Sequence, residues 1–197
     1  MLQIVGIGAS AGGLEALEAL LGSLPPDARP AFVVAQHLSP DRRSLLVELM
    51  SRCTPLQVRQ AVDGAALLPG TVSIGPPNHD IRVDRERLVV SDPEPRFGPS
   101  PSIDRLFDSI AEHWGECGVA VVLSGTGSDG ARGLVAVRTA GGLTMAQTPH
   151  SARFAGMPTA AITLGGGRTG ARARRHRPAP RRAVAPLRPG PCRRWPG

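Results

Sequence analysis

The 197-residue chain has no lysine, no tyrosine, only 3% aromatic residues, three cysteines and no apolar run approaching 18 residues. Without such a run a transmembrane helix is excluded, and the first residues lack the pattern of a secretory signal, so we expect no membrane insertion. Cys53, Cys117 and Cys192 form no CxxC pair and leave one cysteine odd. This spacing excludes a disulfide-rich scaffold and a zinc finger, and it favours a reducing, cytoplasmic setting.

Basic charge is concentrated at the end of the chain. All 23 basic residues are arginines: residues 1–165 have 13 of them against 16 acidic residues, whereas residues 166–197 have ten and no acid. We therefore predict a mildly acidic globular domain over residues 1–166, without a basic face for nucleic acid, and a disordered Arg/Pro-rich tail over residues 167–197. Such a bias is typical of a GC-rich gene read out of frame, and we hypothesise a frameshift near residues 165–167.

The body alternates buried strand-like runs with amphipathic helix-like runs. Strands are predicted at 4–8, 31–36, 118–123 and 143–146, and helices at 14–21, 42–52, 131–139 and from Ser102, as N-cap, to about Trp114. Short strands at 71–74, 80–83 and 88–91 are expected to form a small antiparallel excursion. The pattern predicts a single α/β domain with a doubly wound, mostly parallel sheet.

The first glycine turn, residues 6–13 (GIGASAGG), has two interpretations. Gly6, Gly8 and Ala11 fit a dinucleotide fingerprint, although no acidic residue ends the second strand to hold a ribose. Gly8, Ser10 and Gly12 fit a G-x-S-x-G nucleophile elbow, in which a serine stands on a tight turn between strand and helix. The turn alone leaves phosphate binding, nucleophilic catalysis and a purely structural role open.

Two further polar residues follow predicted strands. His37 comes directly after the second strand, at the edge where ligands bind in open α/β sheets, and is a candidate general base. Asp129 lies in the glycine loop of residues 124–130 (SGTGSDG). Asp129 could serve as the N-cap of the helix that begins at 131, and it could equally orient a histidine side chain. Ser10, His37 and Asp129 are thus a candidate triad, which only geometry can establish.

Six segments together resemble the catalytic domain of CheB-type chemotaxis-receptor methylesterases, in the right order from about residue 3 to 166. They are residues 6–13 (GIGASAGG), 34–38 (VAQHL), 76–79 (PPNH), 101–109 (PSIDRLFDS), 123–133 (LSGTGSDGARG) and 154–166 (FAGMPTAAITLGG). The resemblance implies a serine esterase that hydrolyses glutamyl methyl esters on chemoreceptors and deamidates receptor glutamines. It places the catalytic roles on Ser10, His37 and Asp129.

Several expectations accompany that resemblance. The backbone N–H groups near Ala11 and Thr126 are candidates for an oxyanion hole, although the family usually has methionine where Thr126 stands. No metal or organic cofactor is expected, because water completes deacylation. The expected partner is a methyl-accepting chemoreceptor or a similar methylated signalling protein. Because the resemblance starts near residue 3, a receiver domain or a methyltransferase is expected to act in trans.

Two alternative functions stay open from the residues alone. One is a nucleotide- or phosphate-binding α/β module that uses the glycine turn at a helix N-terminus. The other is a catalytically decayed regulatory homologue, because the family normally continues after residues 165–166 into an apolar strand and a closing helix.

Overall fold

The computed structural model describes residues 2–37, 45–93 and 100–165, and the backbone of 168–171. The elements in chain order are β1 (Ile4–Ala9), α1 (Gly13–Leu21), β2 (Ala31–Gln36), α2 (Leu46–Cys53), β3 (Gln57–Gln60), β4 (Thr71–Ile74), β5 (Asp80–Asp84), β6 (Arg87–Ser91), α3 (Ile103–Trp114), a 3₁₀ turn (Gly115–Cys117), β7 (Gly118–Val122), α4 (Ala131–Thr139), β8 (Leu143–Gln147), α5 (Gly156–Thr163) and β9 (Arg168–Ala171). This confirms the predicted alternation of strands and helices.

Seven strands form one parallel sheet in the order β3-β4-β2-β1-β7-β8-β9. Within the described residues, the predicted antiparallel excursion is a two-stranded sheet of β5 and β6. The assignment of residues 71–74 to that excursion was wrong, because β4 lies in the main sheet between β3 and β2. All four residues of β4 are buried, as expected of a strand covered on both faces, and so short a run has no alternation to reveal its partners.

Helices cover both faces of the sheet, as a doubly wound fold requires. Odd-numbered residues of β1, such as Val5 and Ile7, pack in one apolar layer with Leu17 of α1 and Met50 of α2. On the opposite face, Ile4 shares a second layer with α3, α4, α5 and the β5–β6 hairpin. The chain passes from β1 to β2 by way of α1, and it returns to β7 on the other side of β1 by way of α3. The sheet therefore reverses its winding between β1 and β7, where open α/β folds bind ligands.

The even-numbered glycines of β1 allow α3 to approach the sheet closely. A Cβ atom on Gly6 would lie 2.4 Å from Ile110 Cδ1, and one on Gly8 would lie 2.2 Å from Ile103 Cγ2. Both positions thus face α3, and side chains of this helix occupy the space that a Cβ atom would take. These two glycines are explained by packing between helix and strand, without a bound phosphate.

The end of the domain differs from the prediction. Residues 168–171, which the sequence assigns to a disordered tail, form β9 beside β8, so the sheet continues past the expected boundary at 166. The remaining tail, residues 172–197, lies outside the described residues, as does the predicted start of the second helix at residues 42–44. Across the described segments, the structure contains no helix long and apolar enough to cross a membrane.

Candidate active site

Three neighbouring strands end at one edge of the sheet and bring the candidate triad together. Ser10 follows β1, His37 follows β2, and Asp129 lies in the loop between β7 and α4. The strands are in register, since Ala9 pairs with Gln36 and Gly8 pairs with Val122. Because the three strands are parallel and adjacent, residues separated by up to 119 positions meet where the strands end.

The three side chains form one hydrogen-bonded row. Ser10 Oγ lies 3.1 Å from His37 Nδ1, and His37 Nε2 lies 2.9 Å from Asp129 Oδ2. The His37 and Asp129 side chains are only 13% and 11% exposed. When Asp129 is ionised it can only accept, so a neutral His37 keeps its proton on Nε2. The lone pair of Nδ1 then faces the serine hydroxyl, which is the arrangement that a general base needs.

Asp129 is held as a carboxylate by the N-terminus of α3. Its Oδ2 accepts from the Ile103 N–H at 2.8 Å, and its Oδ1 accepts from the Asp104 N–H at 3.0 Å and the Gly130 N–H at 2.9 Å. Burial raises the pKa of Asp129, but the hydrogen bonds from His37, Ile103 and Asp104 outweigh burial and leave the pKa below its ordinary value. The carboxylate therefore stays charged beside the histidine.

The helix that Asp129 caps is not the one that its sequence position suggests. α4 begins after Gly130, which takes a left-handed conformation and provides no side-chain cap. Asp129 instead reaches across the sheet edge to the first two N–H groups of α3, while the N-cap Ser102 accepts from the third, that of Arg105. The expectation that Asp129 serves as N-cap of the helix from 131 was wrong, because the positive-φ cap of α4 falls one residue later.

Two further carboxylates, those of Asp104 and Asp108 on α3, lie near the triad and were not predicted from the sequence. Asp104 Oδ1 accepts from the Gly133 N–H at 2.8 Å, and Arg132 lies within 4 Å of both Asp104 and Asp108. Burial raises the pKa of Asp104, and the charge of Asp129 raises it further. Burial also raises the pKa of Asp108, against the attraction of Arg132. Both carboxylates lie on the side of α3 that faces α4, and within the described residues neither is hydrogen-bonded to Ser10 or His37.

Ser124 holds the turn that contains Ser10, and the sequence analysis did not single it out. It is fully buried; its carbonyl accepts from the Ser10 N–H at 2.9 Å, and its hydroxyl donates to the Ala11 carbonyl at 2.8 Å. Gly125 follows, and a Cβ there would lie 2.8 Å from Ser10 Cβ. The only sequence signal for Ser124 is its place as the first polar residue after the apolar run of β7.

The two candidate oxyanion donors flank this turn. Ala11 is partly buried and Thr126 is exposed. Neither backbone N–H donates a hydrogen bond to another residue within the described segments. The loop that holds Thr126 is anchored through the Gly125 N–H, which donates to the Phe154 carbonyl at 3.0 Å. No group of three or more His, Cys, Asp or Glu side chains that could hold a metal ion occurs in the part of the chain that the structure describes.

The fold and this row of side chains define an α/β domain with the arrangement of a serine hydrolase. More narrowly, the chain belongs to the CheB methylesterase family, whose model, described as CheB methylesterase, matches residues 5–171. This family assignment confirms the resemblance drawn from the six sequence segments.

Individual relatives agree with the family. The chain is 40% identical over 167 residues to a protein-glutamate methylesterase/protein-glutamine glutaminase 2 of Xanthomonas oryzae pv. oryzae, covering 83% of this chain and 46% of the relative. It is 36% identical over 168 residues to a protein-glutamate methylesterase/protein-glutamine glutaminase of Salmonella typhimurium, covering 83% and 48%. The chain thus spans about half the length of the curated relatives it matches.

A solved structure shares the whole fold. The Thermotoga maritima CheB methylesterase catalytic domain superimposes with a TM-score of 0.81 at 28% sequence identity. The match covers 86% of this chain and 92% of that domain. The part of the relatives that this chain represents is therefore the catalytic domain.

Proposed function

We propose that this protein is a serine hydrolase that demethylates glutamyl methyl esters and deamidates glutamines on methyl-accepting chemoreceptors or similar methylated signalling proteins. The observation that carries the proposal is the unbroken row from Ser10 Oγ through His37 to Asp129. Its reaction class comes from the family and from relatives named protein-glutamate methylesterase/protein-glutamine glutaminase.

The first half of the reaction forms an acyl-enzyme. Ser10 Oγ attacks the side-chain carbonyl carbon of the methylated glutamate, and His37 Nδ1 accepts the hydroxyl proton. The tetrahedral intermediate collapses as the bond to the methoxy oxygen breaks. His37 returns the proton to that oxygen, and methanol leaves; with a glutamine substrate the leaving group is ammonia.

Water completes the reaction in the second half. His37 Nδ1 takes a proton from the water as the water attacks the acyl carbon, and then returns the proton to Ser10 Oγ as the glutamate side chain is released. Asp129 keeps the Nε2 proton in place throughout and stabilises the imidazolium. The α3 N–H groups assist, because they hold Asp129 in its charged form.

The oxyanion needs donors that are not already engaged. The N–H groups of Ala11 and Thr126 meet that requirement among the described residues, and we assign them this role. The methionine usual in the family is not required at Thr126, because the backbone supplies the donor.

The setting follows from the reaction. A substrate on a signalling receptor implies a cytoplasmic enzyme. We propose that a receiver or a methyltransferase is a functional partner of the domain.

Covalent labelling tests the proposal. A fluorophosphonate should modify Ser10, identified by peptide mapping, and the same protein should release methanol from a peptide bearing a glutamyl γ-methyl ester. Ser10→Ala is the matched control and should lose both signals. A folded protein that is neither labelled nor active would identify a decayed homologue. A nucleotide that raises the melting temperature, with no labelling, would favour the phosphate-binding alternative.

A further inference from the structure

The side chain of Gln36 lies beneath the serine turn, and the mechanism above does not use it. Gln36 is the last residue of β2, directly before His37, and is 8% exposed. Its Nε2 donates to the Ser10 carbonyl at 2.8 Å and to the His37 carbonyl at 3.2 Å. One buried amide thus joins the backbone of the proposed nucleophile to that of the proposed base.

The contact with the Ser10 carbonyl fixes more than that carbonyl. The carbonyl of Ser10 and the N–H of Ala11 belong to one planar trans peptide, in which they point in opposite directions. A second donor, the Gly13 N–H, also binds the Ser10 carbonyl at 2.8 Å. With its carbonyl held between Gln36 and Gly13, this peptide cannot rotate, and the Ala11 N–H is directed away from them.

The position demands an amide with this orientation. Gln36 Oε1 is buried and has no hydrogen-bond partner among the described residues, an uncommon state for a native side chain. Turning the amide over would place this oxygen against the carbonyls of Ser10 and His37, which cannot donate. Space for the amide is provided by Gly13, where a Cβ would lie 2.6 Å from Gln36 Oε1. The pocket therefore tolerates one unpaired oxygen in order to keep both N–H bonds.

We propose that Gln36 is a positioning residue that aims the Ala11 N–H at the oxyanion, an inference that rests on the proposed function. It acts through the Ser10–Ala11 peptide and makes no contact with substrate. The loss of the Gln36 amide should therefore reduce the stabilisation of the transition state and leave the affinity for the substrate unchanged.

Gln36→Met tests this, because methionine has nearly the same length and no donor. We expect kcat for the γ-methyl ester peptide to fall about 10- to 100-fold, since a displaced catalytic group typically loses about that much, while KM stays within about twofold. The affinity for a trifluoromethyl ketone analogue of the substrate, which forms an oxyanion on Ser10, should fall by a similar factor. The shape of the pH profile of kcat/KM should not change, because His37 and Asp129 keep their contacts. Active-site titration normalises each value to folded enzyme.

Two variants make the result decisive. Ser109→Ala removes another buried group that has two backbone hydrogen bonds, to Val83 and Leu106, and none to Ser10, His37 or Asp129. It should lower the melting temperature and leave kcat unchanged. Gln36→Leu also has no donor and is close to glutamine in size, so it should reproduce the loss in kcat if Gln36→Met does not fold.

The outcomes separate the inference from the function on which it rests. An unchanged kcat in either folded Gln36 variant, or a loss of kcat with undiminished affinity for the ketone, overturns the positioning role. An active Ser10→Ala protein overturns the proposed function instead.

Discussion

Replacing Asp129 by asparagine should separate its two roles, one in the triad and one at the N-terminus of α3. The carboxylate accepts two hydrogen bonds on each oxygen: from His37 and Ile103 on Oδ2, and from Asp104 and Gly130 on Oδ1. An asparagine has only one oxygen, so its NH₂ group must face one of these pairs of donors.

The hydrogen bonds decide which way the amide turns. With NH₂ on the Oδ1 side, the N–H groups of both Asp104 and Gly130 lose their acceptor. With NH₂ on the Oδ2 side, only the Ile103 N–H is left unpaired, because His37 can move its proton from Nε2 to Nδ1 and accept from the amide. The second orientation costs one hydrogen bond fewer and is the one we expect.

That orientation predicts both magnitudes. His37 then presents a proton to Ser10 in place of a lone pair, and kcat should fall about 10²- to 10⁴-fold. The free energy of unfolding should fall by about 1 to 3 kcal/mol, the usual effect of losing a helix cap and leaving one buried N–H unpaired. Steady-state methanol release and urea unfolding measure the two effects on the same samples.

Ser102→Ala is the matched control. It removes the acceptor of the Arg105 N–H from the same helix end, and it should lower stability by about 1 kcal/mol with kcat unchanged. If Asp129→Asn keeps kcat within a few-fold of the parent, the orienting role is refuted. If it unfolds at the same urea concentration as the parent, the capping role is refuted.

Acid should remove part of the stability that Asp129 provides. Because the folded-state pKa of Asp129 is lowered, its ionised form stabilises the fold above the unfolded value near ~3.9, and that contribution is lost as pH falls through the lower folded value. The difference in melting temperature between the parent and Asp129→Asn should therefore shrink below about pH 4. A difference that is constant from pH 7 to pH 3 would contradict the assigned charge state.

Two further predictions concern the same site. Ser10→Ala and His37→Ala should each lower kcat by roughly 10³-fold or more, and the double variant should be little worse than either, whereas additive losses would argue against a single catalytic unit. Gly8→Ala should lower both the melting temperature and kcat. The new Cβ would lie 2.2 Å from Ile103 Cγ2, so α3 must shift and move the Ile103 N–H away from Asp129. An unchanged melting temperature and kcat would show that α3 can shift without affecting the fold or the site.

Local signals in the sequence were sufficient to predict the bounds of two helices. Ser102 predicted the start of α3, and the observed helix ends at the expected Trp114. Helix α4 spans the predicted residues 131–139. A cap and an apolar period act over a few residues, so they can be recognised without knowing the rest of the fold.

Contacts between distant segments could not be predicted in the same way. The sequence presented Gly6 and Gly8 as turn glycines, but their surroundings are set by α3, about 100 residues away. The roles of Ser124 and Gln36 depend on hydrogen bonds to backbone atoms 113 and 26 positions away. A buried polar residue at the end of a strand shows only that some partner must exist, and the packing of the sheet decides which one.

These distant contacts link the packing of β1 to the chemistry of the site. Ile103 fits against the bare Cα atoms of Gly8 and Gly130, where a Cβ would come within 2.2 Å and 2.6 Å of its Cγ2. The same residue opens α3, and its N–H reaches Asp129 Oδ2 at 2.8 Å. The N-terminus of α3 carries the positive end of the helix dipole, which favours a buried carboxylate. By allowing α3 to come close, Gly8 therefore helps to hold the Ile103 N–H against Asp129, and so helps to keep this carboxylate ionised beside His37, the base that we propose.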